Sequence, residues 1–425
     1  MPEFKSGDWV EVKTTEGTYV GILMERPKLA DDKHMVIKLE SGYNIGINKE
    51  KIKNIKKIER KTRKDEYMIK KHTKDPNKPS ISILATGGTI ASRVDYVTGG
   101  VHSAFSAEDL ISAVPELGDI ANVSGRQICN KFSENIIPAD WIKIAEAAAE
   151  EIKTGAAGVV ITHGTDTMGY TAAALAFMLK TPVPVVITGA QRSSDRGSSD
   201  AATNLIHAAT VAAKGNFSEV VVVMHAESSD SFSYIHPATK VKKLHASKRD
   251  AFMTVNAKPL GSVSAKGVEL VEEVKTGEKL SLDTKLNENV FLLKYVPGLK
   301  PVALDAILKA GYEGIVIEGT GLGHTSDELA KRIGEAIKSG ISVAMTSQTI
   351  FGRVNMSVYS TGRVLQDVGV IPCEDMLAET AYVKLMWVLG HTKDSKKIKE
   401  MMTTNYAREI GERTTYDQPA PKNSQ

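Results

Sequence analysis

Cysteine is nearly absent from this sequence. Only Cys129 and Cys373 occur among the 425 residues, and they are not spaced as a CxxC motif. This count argues against a disulfide-stabilised scaffold and against a structural zinc site. The sequence also lacks a basic leader followed by an apolar stretch, and it has no apolar run of about eighteen residues, the length that a membrane-spanning helix needs. We therefore expect a cytoplasmic protein without membrane contact.

A large net charge is also missing. The formal charge is +3 and the charged fraction is 25%, which is ordinary for a globular protein. This small total hides one basic segment, because residues 51–74 contain eleven Lys and Arg against three acids, a charge of +8, and leave −5 for the remainder. Such a segment can bind phosphates or an acidic partner, but a solvated linker is the commoner outcome for a charge run.

Composition divides the chain into six segments. Five short apolar runs separated in part by turn signals occupy residues 1–60, which favours a small SH3-like β-barrel. From residue 80, continuous apolar runs are separated by helical patterns, as in a parallel sheet that helices cover on both faces. We therefore predict an α/β fold with a parallel sheet. Its predicted parts are the barrel at 1–60, a basic linker at 61–79, a catalytic lobe at 80–270, an inter-lobe linker at 271–289, a second lobe at 290–410 and a polar tail at 411–425.

Two segments carry the chemistry: Thr-Gly-Gly-Thr-Ile-Ala at 86–91 and Thr-His-Gly-Thr-Asp-Thr-Met at 162–168. Each follows an apolar run and precedes a helical pattern, which places it at the carboxyl edge of a parallel sheet, where open α/β folds bind ligands. A threonine hydroxyl is a weak nucleophile and needs a base to remove its proton. Thr89 and Thr165 are therefore the candidate nucleophiles. Thr89 is favoured because a glycine turn leaves its hydroxyl unobstructed, and Thr165 stays open.

A lysine is the expected base, because burial can lower the pKa of an amine enough for it to accept a proton. Lys243 is the first candidate and Lys242 its close rival, while Asp166 would orient the ammonium. The glycines Gly88 and Gly164 would let backbone N–H groups approach a developing oxyanion. Taken singly, each motif could instead be a turn that caps a helix, and a lysine in a Lys-rich stretch could be solvated. Their joint occurrence on one α/β lobe favours catalysis.

The two motifs closely resemble the signature segments of the bacterial-type L-asparaginase family, and the resemblance covers about residues 80–400. It implies a two-lobed asparaginase-like fold and amide hydrolysis through an acyl-enzyme. The catalytic residues that it implies are Thr89, Thr165, Asp166 and Lys243, and the substrate-binding residues are Tyr96, Ser133, Glu134, Gly88 and Gly164, with no metal.

The N-terminal barrel and the loop at 191–196 depart from plain asparaginases and resemble the D-subunits of archaeal glutamyl-tRNA(Gln) amidotransferases. That resemblance implies glutamine hydrolysis by a homodimer, with the ammonia passing to a partner E-subunit. The partner would bind Glu-tRNA(Gln) and use ATP and Mg, and this chain would hold no cofactor. No Gly-x4-Gly-Lys-Ser/Thr phosphate loop occurs in the sequence, so ATP chemistry in the partner is consistent with it.

Two other functions stay open. A free-standing L-asparaginase could carry the barrel as an accessory domain. A binding module could use a degenerate hydrolase fold as its scaffold, although retention of all four catalytic candidates argues against that interpretation.

Overall fold

The computed structural model describes residues 4–5, 7–24, 33–39, 44–58, 75–88, 92–94, 101–103, 114–193 and 199–414. Most of the predicted basic linker lies outside these ranges. The strands are β1 (Trp9–Thr14), β2 (Thr18–Met24), β3 (His34–Leu39), β4 (Asn44–Asn48), β5 (Ile52–Lys57), β6 (Ser80–Gly87), β7 (Ser92–Val94), β8 (Val101–Ser103), β9 (Asn122–Lys131), β10 (Gly158–Thr162), β11 (Leu179–Lys180), β12 (Val185–Thr188), β13 (Val220–His225), β14 (Phe232–Pro237), β15 (Val241–Lys243), β16 (Phe252–Thr254), β17 (Gly261–Ser264), β18 (Gly267–Leu270), β19 (Ser281–Leu282), β20 (Val290–Lys294), β21 (Gly314–Gly319), β22 (Ser342–Ser347) and β23 (Ile371–Pro372). The helices are α1 (Leu117–Ile120), α2 (Pro138–Lys153), α3 (Met168–Met178), α4 (Ala201–Lys214), α5 (Pro301–Lys309), α6 (Asp327–Lys338), α7 (Ser360–Asp367), α8 (Ala378–His391) and α9 (Ser395–Thr403). None of these helices is long and apolar enough to cross a membrane.

The first five strands form an antiparallel sheet in the order β4-β3-β2-β1-β5. Apolar residues alternate with polar ones along β1, so that Val10 and Val12 are buried while Lys13 is exposed. These two valines pack with Ile37 and Ile47 in a small core of their own. The small β domain predicted ahead of the catalytic lobe is therefore confirmed.

The catalytic lobe is built on an eight-stranded sheet in the order β18-β17-β14-β13-β12-β10-β6-β9. The five strands from β13 to β9 are parallel, whereas β14, β17 and β18 pair antiparallel. The predicted α/β class with a parallel sheet is confirmed, and three antiparallel strands extend this sheet at one side. The sequence pattern missed β9 because this edge strand is only partly buried and lacks the continuous apolar run of a central strand.

The order of the strands creates a crevice between β6 and β10. From β6 the chain first adds β9 on one side and then returns to add β10, β12 and β13 on the other. The connections that leave the carboxyl ends of β6 and β10 therefore run in opposite directions. Open α/β sheets bind ligands at such a switch point. Each sequence motif begins in the last residues of one of these two strands, so the topology places both motifs at one crevice.

The second lobe is a parallel four-stranded sheet in the order β20-β21-β22-β23. Its helices begin at recognisable signals: Pro301 occupies the first turn of α5, and the hydroxyl of Ser326 accepts from the N–H of Leu329 at the start of α6. Helix α8 packs against α3 of the first lobe, and the rings of Phe177 and Trp387 stack with centroids 6.0 Å apart. One continuous apolar core therefore joins the two lobes.

A fully buried ion pair fastens the end of the described chain to this core. Lys384 of α8 lies 2.6 Å from Glu409, and neither side chain is exposed to solvent. The Lys384 ammonium also donates to the carbonyls of Met402 and Thr404. Burial lowers the pKa of Lys384, and the Glu409 carboxylate opposes that shift. Removing one partner of a buried ion pair lowers stability strongly, because the other charge is left without a counter-ion in a medium of low polarity.

We predict that Glu409→Ala lowers the free energy of unfolding by about 3–5 kcal/mol, because the Lys384 ammonium then stays buried without its counter-ion. Urea unfolding followed by circular dichroism measures the change. Glu150→Ala is the matched control, since it breaks an exposed pair with Arg126 and should change stability by less than about 1 kcal/mol. Equal losses in the two variants would contradict the prediction.

Candidate active site

The two motifs meet at the carboxyl ends of β6 and β10. Ala85 is paired with Thr162 in the parallel register, and the buried Thr86 hydroxyl donates to the carbonyl of Thr162 over 2.8 Å. Gly88 adopts a φ of +78°, and a Cβ there would lie 2.5 Å from the backbone nitrogen of Gly164. Only glycine permits both this left-handed conformation and this close approach. The glycines of the two motifs therefore bring the two turns into contact.

Three predicted catalytic residues lie together at this crevice. The Lys243 ammonium donates to the Thr165 hydroxyl at 2.9 Å and to the Asp166 carboxylate at 2.7 Å. The Thr165 residue is 5% exposed and the Lys243 side chain 13% exposed, whereas the Asp166 side chain is 69% exposed. The rival Lys242 points elsewhere and pairs with Glu379. An amine is thus held within hydrogen-bonding distance of a threonine hydroxyl, which is the geometry that general-base activation of a nucleophile requires.

The start of helix α3 adds a favourable field to this group. The helix begins at Met168, directly after Thr165, Asp166 and Thr167. Free N–H groups and the helix dipole give this end a partial positive charge, which stabilises negative charge nearby. The carboxylate of Asp166 is therefore close to the favourable end of the helix.

Of the other predicted residues, Ser133 and Gly164 line this turn. Ser133 is buried, and its carbonyl accepts from the Thr167 hydroxyl at 2.6 Å, so it lies against the second motif. Glu134 follows it in an exposed position. Gly164 packs on Ser133, because a Cβ at Gly164 would lie 2.8 Å from the Ser133 Cβ. Thr89 and Tyr96 lie outside the described residues.

The N–H of Gly88 has a different role from the one that the sequence suggested. We expected it to approach an oxyanion, but it donates to the carbonyl of Lys131 at 3.1 Å and so continues the pairing of β6 with β9. The contribution of Gly88 in this structure is therefore the close packing of the two turns.

His163 is a part of the second motif to which sequence reasoning assigned no role. Its Nδ1 lies 2.7 Å from the Gly164 carbonyl. A carbonyl oxygen can only accept a hydrogen bond, so Nδ1 must be the donor and carries the proton. Its Nε2 lies 2.9 Å from the Thr171 hydroxyl of α3. Complete burial lowers the pKa of His163 to about 4. The ring is therefore neutral at pH 7 and holds the turn before Thr165 in place.

Two other buried histidines, His225 and His207, also contact polar side chains. His225 lies 2.6 Å from the Asn204 side chain and 2.9 Å from Asp230, and His207 lies 2.8 Å from the Ser233 hydroxyl. Within the described ranges, no group of three or more His, Cys, Asp or Glu side chains could hold a metal ion.

Comparison with protein families divides the chain as its architecture does. Residues 4–58 match the GatD N-terminal domain, residues 80–276 match the family described as Asparaginase, N-terminal, and residues 289–402 match the Glutaminase/Asparaginase C-terminal domain.

Individual relatives cover nearly the whole chain. The glutamyl-tRNA(Gln) amidotransferase D-subunit of Methanothermobacter thermautotrophicus is 51% identical over 413 residues, 96% of this chain and 94% of the relative. That of Pyrococcus furiosus is 51% identical over 424 residues, 97% of this chain and 96% of the relative. Among solved structures, the thermostable L-asparaginase from Thermococcus kodakarensis has a TM-score of 0.71 and 35% identity, covering 78% of this chain and 99% of its own.

We predict that Gly88→Ala destabilises the protein more than Gly155→Ala does. Both glycines have positive φ, so both alanines incur the cost of about 1–2 kcal/mol that an L-residue has in this conformation. Only at Gly88 does the added Cβ also meet backbone atoms of the second motif, whereas nothing lies within 4 Å at Gly155. Urea unfolding of the two variants compares them directly. Similar losses would show that the contact between the turns is looser than described.

We predict that His163 makes stability fall as the pH drops from 6.5 to about 4. In this window the unfolded chain binds a proton at this residue and the folded chain does not, because burial lowers the folded pKa from 6.5 to about 4. Each unit of this shift corresponds to about 1.4 kcal/mol. Urea unfolding at several pH values should show a shallower fall for His163→Gln than for the unmodified protein. The exposed His245→Gln serves as the control, and a slope unchanged in His163→Gln would refute the assignment.

Proposed function

The chain belongs to the family of glutamyl-tRNA(Gln) amidotransferase D-subunits, and on this premise we propose that it hydrolyses the side-chain amide of glutamine to supply ammonia for a tRNA-dependent amidation. The contact of the Lys243 amine with both Thr165 and Asp166 is the observation that carries the proposal. An amide is a poor electrophile, and a threonine attacks it only when a base removes the hydroxyl proton. We propose Lys243 as that base, and its contact with the Thr165 hydroxyl supports the proposal.

The proposed reaction has two steps. In its neutral form, the Lys243 amine takes a hydroxyl proton through Thr165 while a threonine oxygen bonds to the carboxamide carbon. The C–N bond then breaks and the proton passes from the ammonium to the departing nitrogen. Ammonia is released, and the acyl group remains bound to the threonine as an ester. Water, activated by the same amine, hydrolyses the ester to glutamate and frees the threonine. Asp166 keeps the amine oriented through its 2.7 Å hydrogen bond.

Two threonines compete for the acylated position. The glycine turn before Thr89 favours that residue, and the contact with Lys243 favours Thr165. We place the ester on Thr89 first, with Thr165 passing the proton to Lys243. Tyr96, Ser133 and Glu134 are proposed to hold the substrate, since Ser133 lies against the second motif. Quenched-flow digestion and mass spectrometry of the peptides would locate the ester.

The wider assembly is part of the same proposal. We expect a cytoplasmic homodimer of this chain that acts with an amidotransferase E-subunit. That partner would bind Glu-tRNA(Gln), activate it with ATP and Mg, and receive the ammonia. Three features support this assembly: the N-terminal match to the GatD domain, the near-complete coverage of D-subunit relatives, and the absence of a phosphate loop from this sequence.

A free-standing L-asparaginase is the second candidate, because the L-asparaginase of Thermococcus kodakarensis aligns over 99% of its own chain. Glutamine has one methylene more than asparagine, and one methylene changes the free energy of transition-state binding in a pocket by only about 1–3 kcal/mol. Ammonia release should therefore be measured from glutamine and from asparagine, each with and without the E-subunit and charged tRNA. Stimulation of glutamine hydrolysis by partner and tRNA supports the first function. Rapid asparagine turnover that is indifferent to the partner supports the second.

We predict that Lys243→Met lowers kcat for ammonia release by about 10²–10⁴-fold, the usual contribution of a general base. The ammonia assay with the complete complex measures the effect. Lys248→Met is the matched control, since Lys248 is exposed in the loop that joins β15 to β16 and should be dispensable. Full activity in the Lys243 variant would end its assignment as the base.

A further inference from the structure

Strand β15 presents two neighbouring lysines to different surroundings. Successive side chains of a strand point to opposite faces. Lys243 therefore faces the crevice and contacts Thr165, while Lys242 faces the second lobe and pairs with Glu379. The Lys242 and Glu379 side chains are 25% and 21% exposed, so their ion pair is shielded from much of the solvent.

Glu379 is placed to hold Lys242 firmly. It lies in the first turn of α8, where the helix dipole stabilises a carboxylate. Its Oε1 binds Lys242, and its Oε2 is buried with no hydrogen-bond partner in the part of the chain that the structure describes. Lys242 is therefore the group that balances this carboxylate.

The segment that leads into β15 is tied to the same region of the second lobe. Lys240 is 1% exposed, and its ammonium lies 2.8 Å from the Asp375 carboxylate. The Thr380 hydroxyl of α8 donates to the carbonyl of Thr239 at 2.8 Å. Residues just before the strand thus contact Asp375, which precedes α8, and Thr380 in its first turn. Lys242 lies two residues after Lys240, so it is on the same face of the chain and contacts the same end of α8.

Helix α8 also contacts the other half of the site. It packs along α3, whose first residue follows Thr165 and Asp166 by a short turn. Near this end, the rings of Tyr170 and Tyr382 meet edge to face with centroids 6.0 Å apart. One helix of the second lobe therefore supports both the motif that carries the hydroxyl and the strand that carries the amine.

We propose that Glu379 is a positioning residue for catalysis: by binding Lys242 it fixes strand β15 so that Lys243 stays within reach of Thr165. The inference rests on the proposed amide hydrolysis and adds to it a residue on the second lobe that touches neither the Lys243 amine nor the Thr165 hydroxyl. A displacement of about 1 Å at a catalytic group can lower a rate about 10²-fold. An ion pair next to the base is therefore enough to control the rate without contacting the substrate.

The test compares Glu379→Gln with the unmodified protein in the complete complex, with glutamine as the substrate. We expect kcat to fall about 10- to 100-fold while KM changes by less than about twofold, because the substrate contacts are untouched and only the base is misplaced. Lys242→Arg keeps the ion pair and should retain most of the activity, whereas Lys242→Met should resemble Glu379→Gln.

A double-mutant cycle separates the pair from its members. If Lys242 and Glu379 act only through each other, Lys242→Met combined with Glu379→Gln should have a kcat no lower than either single variant. Multiplied losses would mean that the two residues act separately and would overturn the proposal. Glu313→Gln is the matched control, since it breaks an exposed pair with Lys393 just before the amino end of β21 and should leave kcat unchanged.

A crystal structure of Glu379→Gln gives a readout that does not depend on activity. We expect the Lys243 Nζ to Thr165 Oγ1 separation to grow from 2.9 Å beyond hydrogen-bonding range, with thermal unfolding showing an intact fold. An unchanged separation or an unchanged kcat overturns the positioning role alone. Lack of amide hydrolysis by the unmodified complex would instead remove the proposed function, while the separation in the crystal would still decide whether Glu379 positions the lysine.

Discussion

The site depends on one amine held between two oxygen atoms. The Lys243 ammonium bridges the Thr165 hydroxyl and the Asp166 carboxylate, which are neighbours in sequence but lie 78 and 77 residues away from it. This bridge works because the amine and the hydroxyl are nearly buried, while the carboxylate reaches the surface. A mostly buried amine makes few contacts with water, so these two partners fix its position.

The sheet and the glycines make this arrangement possible. The switch in strand order between β6 and β10 opens a crevice where both motifs end. Gly88 and Gly164 then let the two turns approach to a distance that any side chain would prevent. The neutral ring of His163 joins the second turn to helix α3 through its contacts with Gly164 and Thr171. These contacts hold the two turns against each other and against helix α3.

The second lobe acts as a support as well as a domain of its own. Helix α8 packs on α3, and Glu379 in its first turn pairs with Lys242. One helix therefore contacts both the motif that carries Thr165 and the strand that carries Lys243. The fully buried pair of Lys384 with Glu409 anchors the same helix to the C-terminal segment. The family likeness extends over both lobes and over the N-terminal β domain, and that domain distinguishes the chain from plain asparaginases.

The sequence by itself determined the features that are local: the α/β class, the N-terminal β domain, and two glycine turns that each follow an apolar strand. It could not reveal β9 or the antiparallel strands β14, β17 and β18, because polar residues interrupt all four and leave none with a continuous apolar run. Nor could it separate Lys243 from Lys242, since neighbours in a strand differ only in the face they occupy. The tertiary structure decided which partner each lysine has, because the packing of β15 between the crevice and α8 brings Lys243 to Thr165 and Lys242 to Glu379.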